Sequence, residues 1–257
     1  MVFANLSGGR DSTAMVVRWL EQGQRLDHII FCDTGFEFEK MYEYVDRLDV
    51  YLQQHFNVRI TRLDSSSEIE RWGFEQPITR GERAGQYRGI PRRLGRDYCT
   101  RESKIVPSKK FVLSKCRERL RNVVLIGYTH AEVERGRTSN LEYGIARYPL
   151  HEWQMNEAEC EQFLRDRGIA NPLYRHFSRT GCYLCPKQSR KSLFILYKHY
   201  PHHFQKMLEF EQRATALNCV NTRFFEKPLT EIEKDFRYRQ SALFSDDYAD
   251  SETCFCK

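Results

Sequence analysis

A Ser-Gly-Gly-Arg-Asp-Ser run, Ser7 to Ser12, limits more than any other feature what this chain can fold into. It lies between a short apolar stretch at residues 2–6 and a helical pattern in which Ala14, Met15, Val17, Trp19 and Leu20 recur before Gly23. That order is strand, glycine turn, helix. Adjacent glycines at positions 8 and 9 let the backbone turn tightly, so amide N–H groups and the start of the helix point at one spot and favour a bound anion. The run lacks the Gly-x-x-x-x-Gly-Lys spacing of a Walker A loop and the Gly-x-Gly-x-x-Gly of a dinucleotide fold. The plain alternative is a chance glycine turn capped by Asp11 or Ser12.

The same unit follows again. Residues 28–32 form a second apolar run, succeeded by Asp33-Thr34-Gly35 and a helical face made of Met41, Tyr44, Val45, Leu48, Leu52 and Phe56. Further strands are expected at 58–63, 123–126 and 146–149, with a helix over 107–120. Strands alternating with helices predict an α/β fold, a doubly wound parallel sheet of Rossmann-like character covered on both faces. Helical patterns over 191–217 and 229–239 predict a smaller C-terminal helical portion. The expected division is an α/β domain at 1–168, carrying a basic loop at 65–101, and a region at 169–257 with a Cys-x-x-Cys loop, helices and an acidic tail. A polar stretch as long as 65–101 is functional or mobile more often than a plain connection.

Composition narrows the class. Hydrophobic residues make up 40% of the chain, enough for a packed core. No run approaches the roughly 18 apolar residues that a spanning helix needs. Met1 leads directly into a strand-like stretch with no signal sequence, so the expected location is cytoplasmic. Nine cysteines in such a chain point to metal binding or sulfur chemistry ahead of disulfides, because cytosolic redox buffers keep thiols reduced. A net charge of +6 suits a polyanionic partner or a small phosphorylated substrate equally well.

Ser-Gly-Gly-x-Asp-Ser after the first strand, with Asp33-Thr34-Gly35 after the second, resembles the PP-loop superfamily of N-type ATP pyrophosphatases. Asp33 to Phe38, Tyr98-Cys99-Thr100 leading to Lys104 and Pro107, Gly127-Tyr128-Thr129 with Glu134-Arg135, and Gly181 to Pro186 are similar to its phosphoadenylyl-sulfate (PAPS) reductase-like branch. The likeness spans about residues 2–201. That branch includes sulfonucleotide reductases and the ATP pyrophosphatases of DNA phosphorothioation systems, which work with a cysteine desulfurase. The resemblance implies an adenine nucleotide alpha-hydrolase-like fold. It implies ATP held by Ser7, Gly8, Gly9, Arg10, Asp11 and Ser12, with Asp33, Thr34, Gly35, Gly127 and Tyr128 completing the nucleotide site. Asp11 and Asp33 would place Mg²⁺, and Arg135 would stabilise charge at the α-phosphorus.

Cys182 and Cys185 have the spacing that turns two thiolates toward one metal centre. The resemblance adds Cys99, which sits where reductases of the branch carry a Cys-Cys pair that binds a [4Fe–4S] cluster. Position 98 is tyrosine here, so one ligand is missing. Cys160, in a helix beginning near Asn156, is the expected fourth ligand; otherwise one iron is open to sulfide or substrate. Zinc is the alternative metal. Cys32, Cys116 and Cys219 read as small core hydrophobes.

Two basic sets flank these cysteines. Arg175, Arg179, Lys187, Arg190, Lys191 and Lys198 occur between Tyr174 and Tyr200 without one carboxylate. Arg80, Arg83, Arg88, Arg92, Arg93, Arg96 and Arg101 lie ahead of and just after Cys99, interleaved with Tyr87 and Tyr98. Arginine suits phosphate contacts and tyrosine stacks on bases; the plain reading is a solvated cationic face. The expected function is therefore an ATP pyrophosphatase and sulfurtransferase that adenylylates a substrate oxygen. Asp11, Arg135 and Cys99 are its expected catalytic residues, and a cysteine desulfurase and nucleic acid its partners, DNA ahead of tRNA. The main rival is a sulfonucleotide reductase using Cys254 or Cys256, although that family's Glu-Cys-Gly-Leu-His tail motif is absent. A nucleotide sensor or scaffold without turnover is the third reading.

Overall fold

The computed structural model describes residues 1–92 and 97–238. Arg93, Arg96, Cys254, Cys256 and the acidic tail lie outside the described residues. In chain order the main elements are β1 (Val2–Asn5), α1 (Arg10–Glu21), β2 (His28–Asp33), α2 (Glu39–Phe56), β3 (Ile60–Asp64) and α3 (Val106–Lys115). There follow β4 (Val123–Leu125), α4 (His130–Glu134), β5 (Ile145–Arg147), α5 (Pro149–Glu152), α6 (Glu157–Asp166), α7 (Arg190–His199), α8 (Pro201–Ala216) and α9 (Leu229–Tyr238).

The five strands form one sheet in the order β3-β2-β1-β4-β5, and every pairing is parallel. This is the doubly wound arrangement expected from the alternation of strands and helices. The middles of the central strands, Phe3-Ala4, Ile29 to Phe31 and Val124-Leu125, are apolar and buried because both faces of such a sheet are covered. Phe3, Ile30, Val124 and Ile126 form one core with Val112 and Tyr143. The chain order reverses between β1 and β4, which makes that boundary the switch point where open α/β sheets bind ligands.

Two helices differ from their sequence pattern. The expected helix over 107–120 ends at Lys115, because Cys116 adopts an extended backbone and a 3₁₀ turn (Arg119–Arg121) follows. The expected helix over 191–217 is two helices, α7 and α8. Pro201 has no N–H to continue the ladder and forces Tyr200 out of the helical region, to φ −134° and ψ 57°. The apolar periodicity runs through this break, which is why the pattern alone reads as one helix.

The chain groups into two compact units: residues 1–65, 104–175 and 179–181, and residues 66–103, 176–178 and 182 onward. The first unit contains the sheet. The second contains both the long polar stretch and the C-terminal helices. Within it, the stretch 66–92 is strapped down rather than loose. Val220 N donates to Tyr87 O, Asn221 N to Arg88 O and Ile90 N to Asn221 O, all at 2.9–3.0 Å. Phe74 packs edge-on against Phe210 at 5.3 Å, and Arg213 lies over Phe74 while pairing with Glu70 at 2.8 Å. No helix among the described residues is long and apolar enough to cross a membrane.

Candidate functional site

The glycine turn follows β1 on the carboxyl side of the sheet. Gly8 has φ +74°, a conformation that side chains disfavour, and a Cβ there would also collide with Met41 Sδ. Gly9 is the N-cap of α1 with an extended backbone and no side-chain cap bond, so the first-turn amides are satisfied from elsewhere. Arg10 N donates to the Tyr174 hydroxyl at 3.0 Å, and Gly9 N to Ser7 Oγ at 3.3 Å. Ser7 Oγ and Ser12 Oγ lie 3.0 Å apart, and Ser12 Oγ also accepts from Ser7 N at 3.1 Å. The amides of Ser7, Gly9 and Arg10 are thus paired with hydroxyl oxygens, whose places an oxyanion bound at this helix start would take.

The turn is tethered by residues that the sequence pattern does not mark. Buried Asn171 donates from Nδ2 to Gly8 O at 2.9 Å and accepts Leu173 N through Oδ1 at the same distance. Thr180 Oγ1 donates to the Tyr174 hydroxyl at 3.2 Å. The one local signal is Asn171-Pro172, a turn dipeptide.

Side chains of the turn divide in direction. The Arg10 guanidinium faces α6, pairing with Glu157 and, at 3.5 Å, with Glu161, and it stacks over the Tyr174 ring. Asp11 Oδ1 sits 3.5 Å from Arg10 Nε. Burial pushes the Asp11 carboxyl up to about 6; Arg10 pulls it back, and Glu157 and Glu132 push it further up. A buried carboxylate of this kind gains from a cation beside it.

The second strand end is organised by Asp33. Its Oδ1 accepts Gly35 N at 2.9 Å and the Tyr42 hydroxyl at 2.7 Å, which fixes the Asp33-Thr34-Gly35 turn. Thr34 is buried and donates to Glu37 Oε1 at 3.2 Å. Burial pushes the Glu37 carboxyl up, with Lys104 opposing.

Gly127 follows β4 and lies against the first turn of α1: a Cβ there would stand 2.8 Å from Ser12 Cα and 2.9 Å from Ser12 N. Tyr128, next in sequence, stacks on Tyr148 with ring centroids 5.7 Å apart, and Arg137 lies 4.1 Å over its ring. Arg135 caps α4 and is exposed. Ser7 to Ser12, Asp33 to Gly35, Gly127 and Tyr128 therefore all lie at strand ends of the first unit.

Cys99, Cys182 and Cys185 belong to the second unit, and all three are half-buried. Cys99 lies in the helical turn Tyr98–Thr100, which Asp97 caps through a bond from Tyr98 N. Cys182 and Cys185 close a turn in which Cys185 N donates to Cys182 O at 3.1 Å. Burial raises the Cys99 thiol, Asp97 and Cys185 raise it further, and a bond with Thr100 opposes them. Thiolates of this kind suit an iron–sulfur cluster or zinc, but the three sulfurs are not among the ligand groups drawn together within the reach of one ion in the described residues. Cys160 belongs to the first unit, where it is fully enclosed in α6; burial and then Asp11 raise its thiol.

The basic residues are unequal. Arg88 donates to Gln76 O at 2.8 Å beneath Trp72, Arg101 pairs with Glu102 at 2.7 Å, and Arg190 pairs with Asp235 at 2.8 Å. Arg80, Arg83, Arg175, Arg179 and Lys187 are exposed.

A wholly parallel sheet with a glycine turn at its switch point defines the doubly wound α/β class. The chain belongs to the phosphoadenosine phosphosulfate reductase domain family, whose model matches residues 1–188. It is 27% identical over 214 residues to the uncharacterized protein MJ0066 of Methanocaldococcus jannaschii, covering 80% of this chain and 40% of that protein's length. Among solved structures it is similar to PAPS reductase from Candida auris in a phosphate complex, at 13% identity and TM-score 0.45, over 70% of this chain and 80% of that one. It is also similar to the U34-tRNA thiolase NcsA from Methanococcus maripaludis with its [4Fe-4S] cluster, at 14% identity and TM-score 0.40, over 86% of this chain and 73% of that one.

Proposed function

We propose that this chain is an ATP pyrophosphatase that activates a substrate oxygen for replacement by sulfur, with DNA phosphate as the acceptor. The observation that carries this reading is the packing of Gly127 on Ser12, which joins the ends of β4 and β1 around an amide-rich turn at the switch point. Ser7 to Ser12 hold the β and γ phosphates, and Asp11 and Asp33 place Mg²⁺. Arg135 offers positive charge to the α-phosphorus. No protein nucleophile is needed, so the contribution of these residues is position and fixed charge.

The chemistry balances in two displacements. The substrate oxygen forms a bond to the α-phosphorus and pyrophosphate leaves, taking the electron pair of the broken P–O bond. Hydrosulfide then attacks the activated centre and AMP departs with the former substrate oxygen, a redox-neutral exchange. If a cysteine desulfurase supplies sulfur as a persulfide, a thiol must add two electrons to break the remaining S–S bond. Cys99, Cys182 and Cys185 are assigned to hold a [4Fe–4S] cluster, with zinc as the alternative metal. Such a cluster, when bound, offers a place for sulfur at an iron that no cysteine occupies. Cys99 is the thiol assigned to the sulfur-transfer step. The exposed arginines Arg175 and Arg179 of the first unit are assigned to the phosphodiester backbone.

The test is product analysis with Mg²⁺, ATP, hydrosulfide and either DNA or tRNA. Pyrophosphate and AMP formed in the presence of DNA, and lost in Ser7→Ala and Asp11→Ala, support the reading. Full activity in both variants removes it. Turnover with tRNA alone moves the acceptor to a tRNA base. Sulfite from PAPS with thioredoxin makes the chain a sulfonucleotide reductase, and nucleotide binding without turnover makes it a sensor.

A further inference from the structure

His130 and Glu134 stand one turn apart on α4, at the i and i+4 positions that share a helix face. His151, on α5, meets them. Its Nδ1 is 3.1 Å from Nδ1 of His130 and 3.7 Å from Oε1 of Glu134, and the two imidazoles stack with centroids 5.0 Å apart. Both histidines are half-buried, and Glu134 is exposed.

The backbone around them is fixed by bonds that do not involve these side chains. His130 N donates to Met155 O and Ala131 N to Asn156 Oδ1, each at 2.9 Å, so the start of α4 is fastened to the segment that follows α5. Thr129 and Glu132 form a capping box at the same end of α4. The α5 turn is closed by His151 N donating to Tyr148 O and Gln154 N to His151 O, both at 3.0 Å. The two imidazoles therefore meet on supports that hold each in place.

Two neutral imidazoles facing through Nδ1 share one proton and so make a single hydrogen bond. A metal ion between them uses both lone pairs. Nitrogen donors at about 2.0–2.1 Å from a tetrahedral ion stand roughly 3.3 Å apart. The observed 3.1 Å is close to that spacing, and a small carboxylate movement completes the set. Two imidazoles and one carboxylate select a borderline transition ion such as Zn²⁺ over Mg²⁺ or Ca²⁺, which prefer all-oxygen shells. Three protein ligands leave a fourth position for water.

We infer that His130, Glu134 and His151 form a binding site for one Zn²⁺-class ion, which clasps α4 to α5. This inference does not depend on the nucleotide reading, and failure of either leaves the other standing.

The experiment reloads chelator-treated protein with Zn²⁺ and counts bound metal, then repeats the loading with Co²⁺ and records its spectrum. Because the thiols of Cys99, Cys182 and Cys185 would compete for added zinc, the comparison is between the full chain and the His130→Ala, His151→Ala double variant. Thiolate-to-cobalt charge transfer reports the sulfur site separately. The double variant is expected to lose one equivalent of zinc with its thiolate band unchanged. Glu134→Gln should bind that equivalent about 100-fold more weakly, since even outer partners of ligands cost about 10–100-fold. If the double variant fails the circular dichroism check, His151→Gln carries the same comparison. Equal zinc content and affinity in the full chain and the folded variant would overturn the site and leave a hydrogen-bonded imidazole pair only.

Discussion

Gly127 lies so close to Ser12 that one added carbon would come within 2.8 Å of Ser12 Cα. The contact is backbone against backbone, so neither side can swing away. Gly127→Ala must push the ends of β4 and α1 apart, and overpacking of this kind costs about 1–3 kcal/mol. The displaced turn should also weaken binding of a non-hydrolysable ATP analogue by about tenfold or more, because the amides no longer share one focus. Gly181→Ala is the control, since nothing lies near its added carbon. Calorimetric titration that finds Gly127→Ala as tight as the control would dissociate the contact from nucleotide binding.

Tyr174 supplies the hydroxyl that accepts Arg10 N and Thr180 Oγ1. Tyr174→Phe leaves the amide without that acceptor in the ligand-free protein, at an expected cost of about 1–2 kcal/mol. If phosphate oxygens take the same amide, saturating nucleotide restores part of the loss. Urea unfolding with and without the analogue should therefore show the larger deficit without it. A deficit equal in both conditions would place the phosphates away from Arg10.

How much of this was legible depends on sequence distance. The glycine turn and the first two strands are local signals: a continuous apolar run, then residues that permit a sharp turn. The likeness of residues 2–201 to a known branch supplied Cys99 as a partner for Cys182 and Cys185, which spacing alone could not. Tyr174 and Asn171 were invisible because their partners are Arg10 and Gly8, 164 and 163 positions away. The strap on residues 87–90 was hidden for the same reason, its other half being Val220 and Asn221. His130 and His151 carry no motif; only the turn at α5 brings them together. Pro201 was legible in principle, but periodicity on both sides of it outweighed one breaker.

The three thiols of the second unit lead to a metal prediction. Anaerobically prepared protein should be brown and contain iron and labile sulfide, and Cys182→Ser or Cys185→Ser should abolish both. Cys160→Ser separates the ligand sets. Enclosed in α6, Cys160 is expected to affect stability while iron content stays unchanged. Loss of iron in Cys160→Ser would make it the fourth ligand. Zinc in an iron-free sample that persists in the His130→Ala, His151→Ala variant and is lost in Cys182→Ser would exclude the cluster.

Glu211 gives the second unit a pH-dependent contact. Its Oε1 accepts Phe224 N at 3.0 Å and its Oε2 accepts Leu229 N at 2.8 Å, so one carboxylate fixes both the loop after α8 and the start of α9. Burial raises its pKa above the ordinary 4.5, only partly opposed by the two amides and Arg223. A raised folded value means that the folded state holds the proton more tightly than the unfolded chain. This contribution to stability is fully present below 4.5 and is lost as pH rises through the folded value. Glu211→Gln removes the titration, so the stability of the native chain relative to the variant reports that titration. The margin by which the native chain exceeds it should be widest in acid and shrink toward neutrality, read from guanidinium unfolding at a series of pH values. A margin independent of pH would mean that Glu211 ionises alike in both states, and that its two backbone bonds act without the burial assigned to it.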